Sequence, residues 1–212
     1  WEVEDPTEFG IVGLSESMGG EVDGGLRRGY IRRFLEKPSR EEAFSNVINA
    51  GLYILEPEVF DHIPKGVKFD FSKQLFPILL EMEWPMYAQT IDGVWFDVGQ
   101  PFELINAQTA LMIRHDELPF SFPPTHQMTA SVLHERGVDV GENVERSVLG
   151  TDCHLHRGAQ IVDSLLMDRC SVGDGTRINH CVLGRGVSVP QDVILENCVV
   201  GDGALLQPGC EY

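Results

Sequence analysis

The C-terminal half of this 212-residue chain repeats itself every 17 residues. Val132, Leu149, Leu166, Leu183 and Val200 fall one period apart, as do Val138, Leu155, Val172, Val189 and Leu206. Val144, Ile161, Ile178 and Leu195 make a third column, and Val148, Leu165, Val182 and Val199 a fourth. Members of the first three columns follow one another at intervals of six, six and five. Self-similarity at a fixed period marks a repeat architecture. A rung with three flat sides, each sending one aliphatic inward, is a coil of a parallel β-helix. Coils stack at the ~4.8 Å strand spacing, so each sequence column becomes a buried ladder. The columns predict roughly five coils.

Small residues follow four positions after an aliphatic: Cys153, Ala159, Cys170, Thr176, Val187, Val193, Ala204 and Cys210. Cys153 and Cys170 share one column, and Cys181 and Cys198 another, so these cysteines are expected as small apolar ladder residues. His154, His156 and His180 lie between inward positions and are expected to face solvent. An odd cysteine count of 5 argues against a full disulfide framework, and no C-x-x-C pair offers a zinc site. A reducing, cytoplasmic setting is expected. The hexads Leu183-Gly184-Arg185-Gly186-Val187 and Val200-Gly201-Asp202-Gly203-Ala204 resemble the hexapeptide repeats of left-handed parallel β-helices. The left hand is implied by that resemblance alone.

The charge balance, 33 acids against 16 Lys and Arg for a net −17, disfavours non-specific binding to nucleic acid or anionic membranes. No apolar run approaches the ~20 residues that span a bilayer. The chain opens on Trp1 and reads as a piece of a longer protein.

All four lysines lie within the first 73 residues, and Leu118–Met128, with three prolines, reads as a connection. The expected division is an α/β segment over 1–117, a linker over 118–129 and the β-helix over 130–212. In the first segment, strands are predicted at 9–14, 30–35, 45–55, 86–90 and 94–98. The glycine-rich 19–25 stretch is the expected hairpin connection between the first two. Helices are predicted at 57–63, 71–82 and 101–112.

Three strings there carry chemistry. In Phe34-Leu35-Glu36-Lys37-Pro38, Pro38 biases Lys37 to extended backbone. A strand-end lysine offers a point charge to a phosphate, and the carboxylate beside it can accept hydrogen bonds from hydroxyls. Taken alone, the string is better explained as a solvated Glu-Lys pair before a loop. In Asn49-Ala50-Gly51, small residues inside a strand mark close approach by a ligand or a simple bulge, and Asn49 could bond a sugar hydroxyl. In Gly93-Val94-Trp95-Phe96-Asp97-Val98-Gly99, Asp97 is a lone acid before a helix start. It is either a helix N-terminal partner or a ligand to Mg²⁺, which keeps most of its waters.

In this order the strings resemble those of the sugar-1-phosphate nucleotidyltransferases, the sugar-nucleotide pyrophosphorylases. Val3–Val12 is similar to a strand in the middle of that family's catalytic domain. Ile48–Pro64 most resembles the mannose-1-phosphate guanylyltransferase branch, in which a trailing left-handed β-helix is common. Asp70–Pro77 and Trp95–Gly99 fit as well. The implied fold is the C-terminal portion of a Rossmann-like α/β domain followed by an all-β left-handed parallel β-helix.

The resemblance implies attack of a sugar-1-phosphate oxygen on the α-phosphorus of a nucleoside triphosphate, with pyrophosphate leaving. Lys37 would bind the sugar phosphate, Glu36 the sugar hydroxyls, and Asn49 and Gly51 would line the sugar pocket. Asp97 would hold Mg²⁺. A homo-oligomer through the β-helix is expected. The family's G-x-G-T-R nucleotide loop and its catalytic lysine are absent in that context, so this chain alone is expected to be inactive. Gly173-Asp174-Gly175-Thr176-Arg177 imitates the loop, but Val172 and Ile178 beside it occupy ladder columns and no lysine follows. A non-catalytic regulatory or scaffold relative, and a glucose-1-phosphate-specific enzyme, stand as alternatives. A hexapeptide acyltransferase is disfavoured, because no insertion breaks the period to build an acceptor site.

Overall fold

The computed structural model describes all residues, 1–212. The chain forms two compact units, Trp1–Trp95 and Phe96–Tyr212.

The first unit is built on three antiparallel strands, β1 (Gly10–Ser15), β2 (Arg28–Glu36) and β3 (Tyr87–Gln89), in the order β1-β2-β3. Ile11 lies opposite Leu35 and Val12 opposite Phe34, with an irregularity between Gly13 and Leu14. β1 is buried along its whole length because both its edges are occupied. On the edge away from β2, Ile48 bridges Ile11, and Val12 N–H donates to the Val47 carbonyl at 2.9 Å. Val47 in turn bridges Glu2.

The expected strand over 45–55 is thus reduced to two bridging residues. Past Asn49 the chain turns away, with Gly51 in the left-handed region at φ 79°. The expected strand over 94–98 does not form; that segment is irregular and has no ladder partner. The expected helix over 71–82 splits into a π-helical turn, Phe71–Leu75, and helix α1, Phe76–Glu81. Pro77 explains the break, since it has no N–H to continue the bonding ladder. The expected helix over 57–63 is a 3₁₀ turn, Pro57–His62, which buries Val59. Val59, Leu75, Phe76 and Leu79 form one core, and the Phe34 ring packs edge-on to Phe76 at 5.5 Å.

The second unit opens with helix α2, Pro101–Ile113. A β-helix of about four turns follows, one fewer than the columns predicted. On one side stack β6 (Val144–Glu145), β9 (Gln160–Val162), β12 (Arg177–Asn179) and β15 (Ile194–Glu196). On the second stack β7 (Ser147–Leu149), β10 (Leu165–Leu166), β13 (Val182–Leu183) and β16 (Val199–Val200). The third holds β8 (His154–Leu155), β11 (Ser171–Val172) and β14 (Ser188–Val189). The parallel registers pair Ile161 with Ile178 and Ile178 with Leu195, and Leu149 with Leu166 and Leu166 with Leu183. These are the predicted ladders, and they are buried. At one corner Arg146, Asp163, His180 and Asn197, one period apart, all take left-handed backbone.

The first coil departs from the period. β4 (His126–Thr129) begins inside the stretch read as a linker and pairs antiparallel with β5 (Val132–Glu135). β5 then places Val132 opposite Ser147, not opposite Leu149. This coil is two residues shorter than the others, so His134 continues the Leu149 ladder. His134 is fully buried, with Thr129 Oγ1 at 2.8 Å from Nε2 and the Glu135 carbonyl at 2.8 Å from Nδ1. Val138 joins no strand.

The fourth column points outward, and α2 covers it. Gln108 Nε2 donates to the Ser164 carbonyl at 3.2 Å, and the Phe102 ring stacks on His180 at 4.8 Å. Val182 is buried, while Val199 is half exposed. His154 and His156 face solvent as expected, and His180 is half-buried beneath Phe102. No helix is long and apolar enough to cross a membrane.

Candidate functional site

Four of the five predicted site residues gather around Phe9 and Gly10 at one end of the first unit's sheet. Glu36 ends β2 directly opposite Gly10. Gly10 leaves room for that carboxylate, since a Cβ there would lie 2.6 Å from Glu36 Oε2. Lys37 follows, and its N–H donates to the Phe9 carbonyl at 2.9 Å. That bond holds Lys37 against β1 while the chain turns, and its backbone is left-handed, φ 47°. The extended backbone expected before Pro38 is therefore not adopted. A left-handed lysine is strained, and such strain concentrates at functional sites. Its ammonium is exposed and lies 3.3 Å from Glu8 Oε2. With both side chains more than half exposed, that pair holds the lysine only weakly.

Asn49 reaches the same place from the other edge, its N–H donating to the Gly10 carbonyl at 2.7 Å. Its side chain is already engaged. Oδ1 accepts from Gly51 N–H at 3.1 Å and from the Tyr53 hydroxyl at 2.8 Å, and Nδ2 donates to Ser72 Oγ at 3.3 Å. Asn49 therefore organises the turn that carries Gly51, and burial pushes the Tyr53 hydroxyl pKa up. Trp95 closes this turn from behind. Its indole N–H donates to the Ala50 carbonyl at 3.1 Å, and Phe9 packs on it edge-on at 5.8 Å. Val12, Ile31, Phe34, Ile48, Asn49 and Tyr53 line a cavity of about 570 Å³ in this unit.

Asp97 belongs to the second unit. It is exposed, and its carboxylate enters no hydrogen bond or ion pair. The chain holds no group of three or more His, Cys, Asp or Glu that could cage a metal. A cation at Asp97 would thus have one carboxylate from this chain, the donor set that suits Mg²⁺ completed by water and substrate phosphate.

The supporting residues have no assigned role in the sequence reading, although their strings carry the family resemblance. Gly10, Tyr53 and Ser72 carry no period or charge signal. Trp95 stands in a string already singled out, but nothing in one dimension shows that its N–H finds Ala50.

Comparison with known proteins places these observations. The nucleotidyl transferase family matches residues 1–113, and the GlmU-like, C-terminal hexapeptide family matches residues 124–202. A UTP–glucose-1-phosphate uridylyltransferase of Synechocystis is 32% identical over 174 residues, covering 71% of this chain and 44% of the relative. Mannose-1-phosphate guanylyltransferase 1 of Arabidopsis thaliana is 29% identical over 184 residues, covering 84% of this chain and 45% of the relative. The catalytic subunit beta of mannose-1-phosphate guanylyltransferase from Drosophila melanogaster is 35% identical over 104 residues, 49% of this chain and 24% of that one. The chain spans less than half the length of these curated relatives. With Glu36 and Lys37 at the end of β2 inside the longer of the two family matches, the chain belongs to the nucleotidyl transferase family.

Proposed function

We propose that this chain is the C-terminal part of a sugar-1-phosphate nucleotidyltransferase that makes GDP-mannose and pyrophosphate from GTP and mannose-1-phosphate. The observation that carries the reading is the convergence of Glu36, Lys37 and the Asn49–Gly51 turn on Phe9–Gly10. That arrangement sets one cation and one carboxylate side by side at a strand end. Lys37 binds the sugar phosphate, and Glu36 accepts hydrogen bonds from the sugar hydroxyls. Asn49 holds Gly51 so that its backbone borders the sugar. Asp97 is the residue that would hold Mg²⁺, which when bound neutralises phosphate charge. No protein nucleophile is needed, because such transfer runs on positioning and charge neutralisation.

The guanylyltransferase relatives favour mannose. The Synechocystis relative, named for glucose-1-phosphate, supports that sugar as the second reading. The odd cysteine count favours a cytoplasmic setting, and the β-helix is the element through which a homo-oligomer would form.

The test is pyrophosphate release by the full-length protein with Mg²⁺, each nucleoside triphosphate, and mannose- or glucose-1-phosphate. Release is expected with GTP and mannose-1-phosphate, and Asp97→Asn is expected to lower it by about 100-fold. Release only with glucose-1-phosphate installs the second reading. No release with any pair, from folded protein, makes the chain part of a non-catalytic relative.

A further inference from the structure

The β-helix carries two stacked thiol pairs that the nucleotidyltransferase reading does not use. Cys153 and Cys170 occupy one inward column one period apart. Their neighbours His154 and Ser171 are register partners, and His154 N–H donates to the Cys170 carbonyl at 2.8 Å. In-register parallel strands set the two Cα atoms at ~4.8 Å, inside the ~4.4–6.8 Å window of a disulfide. Both thiols are buried and free.

Cys153 differs from the other buried thiols in what lies above it. The residue one period earlier is Arg136, an exposed side chain turned away to the Pro124 carbonyl at 2.8 Å. In the short first coil Val138 joins no strand, while Val140 still packs against the core. Here lies a cavity of about 680 Å³ bordered by Arg136, Asp139, Asp152, Cys153, His154 and His156. Cys153 is thus the terminal member of its ladder, with a cavity on one side and Cys170 behind it.

We infer that Cys153 and Cys170 form a dithiol oxidation site that reacts with low-molecular-weight disulfides entering through the cavity against the first coil. The Cys153 thiolate attacks one sulfur of the small disulfide, whose S–S bond breaks and whose other half leaves as a thiol carrying the Cys153 proton. Cys170 then attacks the Cys153 sulfur of the mixed disulfide and releases the second small thiol. Two protein thiols are oxidised to one disulfide, and one small disulfide is reduced to two thiols.

Acidity supports the order of attack. The proximity of the two stacked thiols lowers Cys153 to about 7 and raises Cys170. A thiol with a pKa near ambient pH is the best attacker. Cys181 and Cys198, also stacked, are the internal control. All four sulfurs donate to main-chain carbonyls, Cys153 to Met167 at 3.3 Å and Cys170, Cys181 and Cys198 to Gly184, Asn179 and Glu196 at 3.1 Å, but Cys181 and Cys198 do not border that cavity. Burial pushes the Cys181 thiol up to about 11.

The test incubates the folded chain with glutathione disulfide at neutral pH, alkylates the remaining thiols and maps the peptides by mass. Expected are a Cys153–Cys170 link and modification of Cys153 at least about tenfold faster than of Cys181. Cys170→Ser should trap glutathione on Cys153, and Cys153→Ser should abolish both products at this site. Should either variant fail to fold, the time course on the unsubstituted chain decides, with the Cys153 adduct preceding the link. Fully alkylated Cys153 in a chain whose far-UV spectrum stays native overturns the proposal. So does glutathione confined to Cys198 or Cys210.

Discussion

At Gly10 one missing side chain decides where a carboxylate lies. A methyl group there would sit 2.6 Å from Glu36 Oε2 and 2.7 Å from the Phe34 ring. Gly10→Ala is therefore expected to displace Glu36 and to cost about 1–3 kcal/mol as an overpacking change, read from urea denaturation. A second residue-scale prediction concerns the β-helix corner. Arg146 grips Asp163 with two bonds, Nε to Oδ1 at 2.7 Å and Nη2 to Oδ2 at 2.8 Å. These hydrogen bonds hold the Asp163 carboxyl below its ordinary pKa, against the opposing effect of desolvation. Its folded pKa lies below the unfolded value of ~3.9, so the contribution is complete above that pH and is lost as pH falls through the folded value. Arg146→Ala should return the Asp163 titration, followed by carboxyl NMR, to the ordinary range. It should also flatten the acid limb of the stability profile.

Among elements, the ladders carry the stability of the second unit. Ile178 is fully buried between its register partners Ile161 and Leu195. Ile178→Ala is expected to cost about 2–5 kcal/mol, read from the guanidinium midpoint. Val199→Ala, in the outward column where the valine is half exposed, should stay within about 0.5 kcal/mol. The contrast tests the inward and outward assignment of the columns. Segment 94–98 shows how an apolar run can mislead. Its apolar run reads like a strand, yet a strand exists only where a neighbour supplies hydrogen bonds, and the bond that holds Trp95 comes from its side chain. The helix expected over 71–82 failed for a local reason visible in hindsight, the missing N–H of Pro77.

For the whole molecule, the two units should behave differently when separated. The second contains its own core, made of residues from Val132 to Leu206, together with the helix that covers its outward column. Residues 96–212 expressed alone should keep a β-rich far-UV spectrum and a cooperative unfolding transition. The first unit surrounds an apolar cavity of about 570 Å³ and leaves Leu52 76% and Ile54 fully exposed. Residues 1–95 alone should therefore bind the dye ANS much more strongly than residues 96–212, by fluorescence, because contiguous exposed apolar surface calls for a partner.

The sequence by itself determined the β-helix, its ladders and the small size of its cysteines, because a 17-residue period repeats one local environment and each copy confirms the last. It also drew attention to Glu36, Lys37 and Asp97 as charges beside turns and to Asn49 and Gly51 as a polar and a small residue in an apolar run, while their roles came from the family resemblance. The tertiary structure alone decided the slip of the first coil, the burial of His134 and the helix laid over the outward column. It also decided the left-handed backbone of Lys37 and the engagement of Asn49 with Tyr53 and Ser72. Each of these depends on a hydrogen bond or packing partner that is distant in sequence and imprints no period on the chain.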